Sequence, residues 1–141
     1  MNIFQHPDVV HVAAMLEANQ LPTADLSELN PDHFLGCGEP SNPMGVIGLE
    51  MFEDVGLFRS LVVDRRARGQ GCGKALVQSL ETFAKENNIR TMYLLTETAE
   101  GYFASLGYAK IERLNAPDSI KHTREFSGLC PEDAILMGKE L

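Results

Sequence analysis

The residues best suited to chemistry lie between Leu57 and Lys74, where an apolar stretch meets a turn with three alternate glycines. The turn reads Arg68-Gly69-Gln70-Gly71-Cys72-Gly73, and a helical pattern follows it. A strand that passes through such a turn into a helix N-terminus presents outward N–H groups and the positive end of a helix dipole. The stretch therefore predicts a site for a ligand that carries phosphates.

The distribution of charge supports a small anionic ligand. The chain of 141 residues has 12 basic and 20 acidic residues and a net charge of −8, which argues against general nucleic-acid binding. Five of the basic residues nevertheless fall within sixteen positions: Arg59, Arg65, Arg66, Arg68 and Lys74.

Length and composition indicate one globular domain over residues 1–141. No apolar run reaches the roughly 20 residues that span a bilayer, and the first residues lack an export signal, so we expect a cytoplasmic protein without membrane contact. Neither the cysteines nor the histidines have metal-ligand spacing, so we expect no metal and no disulfide framework. These residues are Cys37, Cys72, Cys130, His6, His11, His33 and His122.

Periodicity predicts a chain of alternating helices and strands, in the order α, α, β, β, α, β, α, β, β. The predicted helices cover 8–19, parts of 21–35, the segment from the glycine turn to about 87, and 99–106; the strands cover 46–52, 55–63, 91–96, 108–114 and 134–141. Residues 36–43 are expected to form a loop or a hairpin turn, and 115–131 a long connection with a helical turn near 120–126. The closely joined strands 46–52 and 55–63 should pair antiparallel, and Leu61-Val62-Val63 suggests a central strand covered on both faces.

The glycine turn resembles the R/Q-x-x-G-x-G/A signature of the GNAT family of N-acetyltransferases, and residues 99–108 resemble the short helix before that family's penultimate hairpin. The resemblance spans residues 8–141 and implies an α/β (α+β) fold with a single mixed, mostly antiparallel sheet and helices on both faces. A P-loop and a Rossmann fingerprint both need a different glycine spacing. A connector that binds nothing is the remaining alternative, which the strand, the helix and the cations around the turn disfavour.

A finer resemblance rests on four segments: 21–26, 57–63, 93–100 and 126–131. Together they look like the arsenic-resistance N-acetyltransferase subgroup, which itself resembles the acetyltransferase domain of N-acetylglutamate synthases.

The resemblance implies acetyl-CoA as the donor substrate. Its pyrophosphate would lie on the turn, and its pantetheine arm would add to the edge of the preceding strand like a short strand. The 3′-phosphate would pair with Arg65, Arg66, Arg68 or Lys74. The residues expected to bind the donor are Leu61, Val62, Val63, Arg68, Gly69, Gln70, Gly71, Cys72, Gly73 and Lys74.

Acetyl transfer to an amine needs a base and a donor to the developing oxyanion, for which the resemblance implies a backbone N–H near Val62 or Val63. Glu50 and Glu97 are the candidate bases, although either can equally be a surface carboxylate. The family's usual tyrosine acid is replaced by Phe103. Either Tyr102 or Tyr108 replaces it, or the thiolate leaves without a dedicated acid.

Arg59 on the central strand suggests recognition of an acceptor carboxylate, unless it only pairs with Glu50 or Glu97. Ser60, Thr23 and Asp25 are weaker candidate acceptor contacts. The sequence thus predicts a small amino-acid-like amine as acceptor, and the resemblance points to arsinothricin or phosphinothricin. Glutamate, a peptide amine and a non-catalytic acyl-CoA module are the alternatives, and a homodimer is compatible with the family.

Overall fold

The computed structural model describes residues 2–21, 23–24, 29–123, 125–129 and 134–141, which form one sheet with helices packed on it. The strands are β1 (Ile3–Gln5), β2 (Phe34–Glu39), β3 (Asn42–Phe52), β4 (Val55–Val63), β5 (Thr91–Thr96), β6 (Ala109–Ile111) and β7 (Ile135–Glu140). The helices are α1 (Val9–Ala18), α2 (Cys72–Glu86), α3 (Glu100–Ser105) and α4 (Asp118–Lys121).

The sheet has the strand order β1-β2-β3-β4-β5-β7-β6. Every neighbouring pair is antiparallel except β4 and β5, which α2 connects as parallel strands. The predicted antiparallel pairing of 46–52 with 55–63 is confirmed by β3 and β4. The sheet is therefore single, mixed and mostly antiparallel, as the sequence predicts.

The central strand β4 is covered on both faces. Because side chains alternate along a strand, Phe58 packs in the core with Leu76 of α2, whereas Leu57 packs with Ile120 of α4. Val62 packs against α1 on that second face. Each such apolar side chain contributes about 1.5–3 kcal/mol when fully buried. Helices α2 and α3 thus lie on one face and α1 and α4 on the other.

The predictions for the first third of the chain are the least accurate. Strand β1 has no counterpart in the predicted order. The hairpin turn predicted within 36–43 is present but is confined to Pro40 and Ser41, because β2 and the start of β3 occupy the rest of that range. Position 36 of β2 requires glycine, because a side chain there would overlap the ring of Phe4. Of the predicted helical piece within 21–35, the described part contains only a 3-10 turn at Pro31–His33.

The remaining element boundaries agree more closely. The predicted strand 108–114 is shortened to β6, and a 3-10 turn follows at Arg113–Asn115. The helical turn predicted near 120–126 is present as α4 and a wide turn at Glu125–Leu129. Helix α2 ends at the predicted asparagines, with Asn87 as its C-cap. No helix in the described ranges is both long and apolar enough to cross a membrane.

Candidate active site

The site begins where β4 and β5 separate. The two strands pair only from Val55 opposite Thr91 to Leu57 opposite Tyr93. Just beyond this point the register of β4 against β3 shifts by one residue, and Ser60 adopts a positive φ of 61°. A bulge of this kind bends a strand and increases its twist. Among the described residues, no strand pairs with that edge of the second half of β4.

A cavity of about 990 Å³ occupies this split. Its walls come from the chain that leaves α1, from β4, and from the end of β5 with α3. The lining residues are Asn19, Gln20, Leu21, Thr23, Ala24, Phe58, Arg59, Ser60, Leu61, Leu95, Thr96, Glu97, Thr98, Ala99, Tyr102, Phe103 and Ala134. The cavity therefore brings together six of the residues singled out in the sequence: Thr23, Arg59, Ser60, Leu61, Glu97 and Tyr102. Asp25 lies outside the described residues.

The unpaired edge of β4 carries backbone groups that an extended ligand can use. The N–H of Asp64 donates to the carbonyl of Met44 on the β3 side at 2.7 Å. Because successive residues of a strand point to opposite edges, Val62 also faces β3, whereas Leu61 and Val63 face the split. The carbonyl of Val63 accepts a hydrogen bond from Arg68 Nε at 3.2 Å.

The glycine turn leads into the N-terminus of α2. Gly69 and Gly71 have positive φ values of 81° and 86°, and a Cβ added to either would meet no atom within 4 Å. Within the described ranges, the amides of residues 71–74 donate no hydrogen bond, since the helix ladder begins with Ala75 donating to the Gly71 carbonyl. Four free amides at the positive end of a 15-residue helix favour a bound anion.

Side chains around this turn differ in what they offer a ligand. The Cys72 thiol is buried against Cys37, and burial raises its pKa to about 12, so only the backbone of Cys72 faces outward. Arg66 binds Asp64, and its hydrogen bond to that carboxyl lowers the carboxyl pKa. Lys74 is exposed, and its side chain has no polar partner within the described part of the chain. Lys74 is therefore available to a phosphate group.

The two candidate bases lie in different surroundings. Glu97 is exposed where β5 ends and lines the cavity. Glu50 does not line it, and its Oε2 lies 3.8 Å from Nη1 of Arg59. Arg59 is only 3 % exposed, and its Nε donates to Ser60 Oγ at 2.9 Å. The cavity therefore has a buried guanidinium on its β4 side and an exposed carboxylate on its β5 side.

The two tyrosines considered as acids are also separated. Tyr102 is 42 % exposed and lines the cavity, and its hydroxyl lies over Gly73, where a Cβ would be 2.6 Å from it. Tyr108 is buried, and its hydroxyl donates to Glu81 Oε2 at 2.8 Å. Burial, and to a smaller extent the hydrogen bond to this carboxylate, strongly raises the Tyr108 pKa. Phe103 fills the aromatic cluster between Phe58 and Tyr108.

Sequence reasoning did not single out the lining residues at the end of α1. Asn19 is the C-cap of this helix, and Gln20 follows with a positive φ of 60°. An asparagine after a helical pattern indicates a C-cap, but periodicity carries no information on which distant segment it faces.

An opened strand edge that leads into a glycine-rich helix N-terminus, beside a cavity at the split, is an arrangement suited to a long ligand with an anionic end. The model of the acetyltransferase (GNAT) family matches residues 5–110, so this chain belongs to that family. The fold expected from the glycine signature is thereby confirmed.

Individual relatives resemble parts or all of the chain. N-alpha-acetyltransferase 80 of Mus musculus is 38% identical over 52 residues, which are 37% of this chain and 17% of that protein. N-acetylglutamate synthase from Neisseria gonorrhoeae, complexed with coenzyme A and N-acetyl-glutamate, has a TM-score of 0.84 at 21% identity over 99% of this chain and 35% of that chain.

Rv2747 from Mycobacterium tuberculosis, in complex with CoA and NLQ, has a TM-score of 0.83 at 21% identity. The match covers 100% of this chain and 99% of the Rv2747 chain. The chain thus spans less than half the length of the mouse protein and of the synthase. At these identities the two solved structures establish the fold. The arsenic-resistance subgroup stays a prediction.

Proposed function

We propose that this protein transfers an acetyl group from acetyl-CoA to the amino group of a small amino-acid-like acceptor. The observation that carries the proposal is the continuous path from the free amides of α2, along the open edge of β4, to a cavity beside buried Arg59. This path matches a donor with an anionic end, a long amide-bearing arm and a reactive thioester. Relatives crystallised with coenzyme A have the same fold.

The donor's diphosphate is assigned to the amides of residues 71–74. Glycines at 69 and 71 allow the backbone to approach a phosphate because no side chain lies there. The amides of the pantetheine arm can exchange hydrogen bonds with the edge groups of Leu61 and with the N–H of Val63, whose carbonyl already accepts from Arg68, in the manner of an added strand. This alignment directs the thioester into the split between β4 and β5.

The reaction is attack of a neutral amine on the thioester carbonyl carbon. A C–N bond forms, the C–S bond breaks, and the proton lost from the amine must be removed. Glu97 is the proposed base because it lines the cavity. Its carboxylate can accept the amine proton there, directly or through one water. A backbone N–H on the open edge of β4 is the proposed oxyanion donor, and Val62 is disfavoured because its amide faces β3.

Tyr102 is the proposed source of the proton for the leaving thiolate. It is the tyrosine that lines the cavity, and Tyr108 is held by Glu81. Burial raises the pKa of Tyr102, which keeps its hydroxyl protonated and able to donate. A CoA thiolate that leaves without help is the alternative, because thiols are intrinsically acidic compared with alcohols.

Arg59 is the proposed contact for the acceptor's acidic group. A buried guanidinium held by Ser60 and Glu50 has little freedom, so it can present N–H groups to a carboxylate or phosphinate at low entropic cost. A relative with this fold was crystallised with N-acetyl-glutamate, which supports an amino-acid acceptor. We extend the proposal to glutamate and to arsenical or phosphinic amino-acid analogues, as the finer resemblance implies.

An acceptor screen that follows free CoA tests this function. Purified protein with acetyl-CoA is incubated with amino acids, phosphinothricin, arsinothricin and basic peptides, and thiol release is measured. Thiol release with an acidic amino-acid analogue supports the proposal. Release only with peptides would show that the acceptor is a peptide amine and not a small amino acid.

Arg59→Lys is the companion variant, and Arg90→Lys, an exposed arginine elsewhere, is its control. Loss of a charge-assisted bidentate pair should raise the acceptor KM about tenfold or more, with the acetyl-CoA KM unchanged. An unchanged acceptor KM would exclude the carboxylate role.

A second candidate function is a non-catalytic acyl-CoA-binding module. Phe103, which stands where the family usually has tyrosine, favours it. This alternative predicts CoA binding, measured by calorimetry, with no thiol release for any amine in the screen.

A further inference from the structure

A hydrogen bond joins the two halves of the site. Arg68 starts the glycine turn that we assign to the donor, and Asn19 belongs to the cavity wall that we assign to the acceptor. Arg68 Nη2 donates to Asn19 Oδ1 at 3.2 Å, across 49 positions of sequence. The same guanidinium donates through Nε to the carbonyl of Val63 at 3.2 Å. One side chain thus contacts the open strand edge and the end of α1.

Asn19 uses both ends of its side-chain amide. While Oδ1 accepts from Arg68, Nδ2 donates to the carbonyl of Met15 at 2.9 Å and closes the last turn of α1. The backbone N–H of Asn19 donates to Leu16 at 3.1 Å. The arginine is therefore attached to a side chain that is itself bonded to the last turn of α1.

The chain that leaves α1 transmits this attachment to the cavity wall. Gln20 has a positive φ of 60°, and the N–H of Leu21 donates to the carbonyl of Leu16 at 2.9 Å. These constraints fix the direction of the chain as it passes along the cavity. Asn19, Gln20 and Leu21 all line it, so the position of the wall depends on the position of Asn19.

We propose that Asn19 is a positioning residue that couples donor binding to the acceptor wall through Arg68. A donor that lies along Val63 and the glycine turn contacts the guanidinium and restricts it, and the bond to Asn19 then holds the wall in place. This proposal rests on the proposed function, since it assumes a CoA-type donor at the turn. It implies that CoA orders part of the acceptor site before any acceptor is present.

Amide hydrogen exchange with CoA as the only added ligand tests the coupling. In the wild-type protein, CoA should slow exchange at residues 69–74 by direct contact and at residues 19–21 and 23 through the link. The second effect should be about two- to tenfold, the range that one net hydrogen bond supplies. The measured quantity is the CoA-dependent change, so a general loosening of α1 does not imitate it.

Three variants separate the link from helix capping. Asn19→Ala removes both hydrogen bonds, whereas Asn19→Asp loses the donor to Met15 but keeps oxygens for Arg68. Asn87→Ala is the matched control, because Asn87 caps α2 with the same Nδ2 bond, to Phe83 at 2.8 Å, and has no such arginine among the described residues. CoA should still slow exchange at the wall in Asn19→Asp and Asn87→Ala, and should no longer do so in Asn19→Ala.

The outcomes are distinguishable. If CoA slows exchange at neither 69–74 nor the wall in the wild-type protein, the donor site itself is wrong, and the proposed function fails. If it slows exchange at 69–74 but not at the wall, or if Asn19→Ala keeps the effect at the wall, the link is wrong and the proposed function stands.

Discussion

The hydroxyl groups of Tyr102 and Tyr108 have very different surroundings, although six positions separate them. Tyr102 reaches the cavity and the first turn of α2, whereas Tyr108 is enclosed by Glu81 and Phe58. Periodicity cannot separate them, because which tyrosine faces the cavity depends on how α3 and β6 pack onto α2. The Glu81 contact joins residues 27 positions apart.

Replacing each tyrosine with phenylalanine should therefore have opposite consequences. Tyr108→Phe should cost about 1–3 kcal/mol of unfolding free energy, because Glu81 loses a buried donor, while kcat changes little. Tyr102→Phe should lower kcat and leave stability nearly unchanged. Urea unfolding and steady-state kinetics measure both. Tyr108→Phe with wild-type stability but a large loss of kcat would reverse the assignment.

Cys72 should make stability depend on pH in the alkaline range. Burial, and then contact with Cys37, raises the thiol pKa from 9.0 to about 12. The unfolded chain releases this proton near pH 9, while the folded protein keeps it. The buried thiol's contribution to the free energy of unfolding is therefore fully present below pH 9 and is lost as pH rises towards 12. Between pH 8.5 and 10, the melting temperature of Cys72→Ala should fall less steeply than that of the wild-type protein. Equal slopes would show that the thiol titrates normally.

At the scale of helices and strands, the role of a glycine is the hardest to predict from the sequence, because the same residue permits a turn, a bulge or a close approach of two backbones. Gly69 and Gly71 supply positive φ in the donor turn, as their spacing indicates. Gly36 lies inside β2 under the ring of Phe4, although the sequence pattern places it at the start of a loop or hairpin turn. The spacing of the signature predicts the first kind, whereas the second depends on the neighbour across the sheet, which periodicity does not report.

Gly71→Ala should weaken CoA binding through the turn. Its φ of 86° disfavours any side chain by about 1–2 kcal/mol, and the new methyl group would point into the open space assigned to a phosphate. Calorimetry should show at least a tenfold higher Kd for CoA. Gly101→Ala in α3 is the control, because a Cβ there also meets no atom but φ is not positive, and its CoA affinity should be unchanged. Equal affinity for both variants would contradict the diphosphate assignment.

At the scale of the whole molecule, the sheet consists of two halves that are joined narrowly. Strands β1–β4 and strands β5–β7 meet only at the three residue pairs between Val55–Leu57 and Thr91–Tyr93. Helix α2 packs on the first half, and its Glu81 binds Lys139 of β7 in the second half, with Nζ 3.1 Å from each carboxylate oxygen. Helix α2 thus connects the two halves of the sheet next to the opening between β4 and β5. Strand pairing is predictable in outline, but this contact is not, since 58 positions separate the two residues.

A double-mutant cycle on Glu81 and Lys139 tests whether this pair holds the halves together. Lys139→Met and Glu81→Gln should each cost about 1–3 kcal/mol, because each leaves the other's charge partly buried without its partner. If the pair is a shared link, the double variant should lose less than the sum of the single variants, with a coupling energy of about 1 kcal/mol. Urea unfolding of all four proteins at fixed salt measures it. A coupling energy indistinguishable from zero would mean that the three strand pairs and the apolar core alone hold the split sheet together.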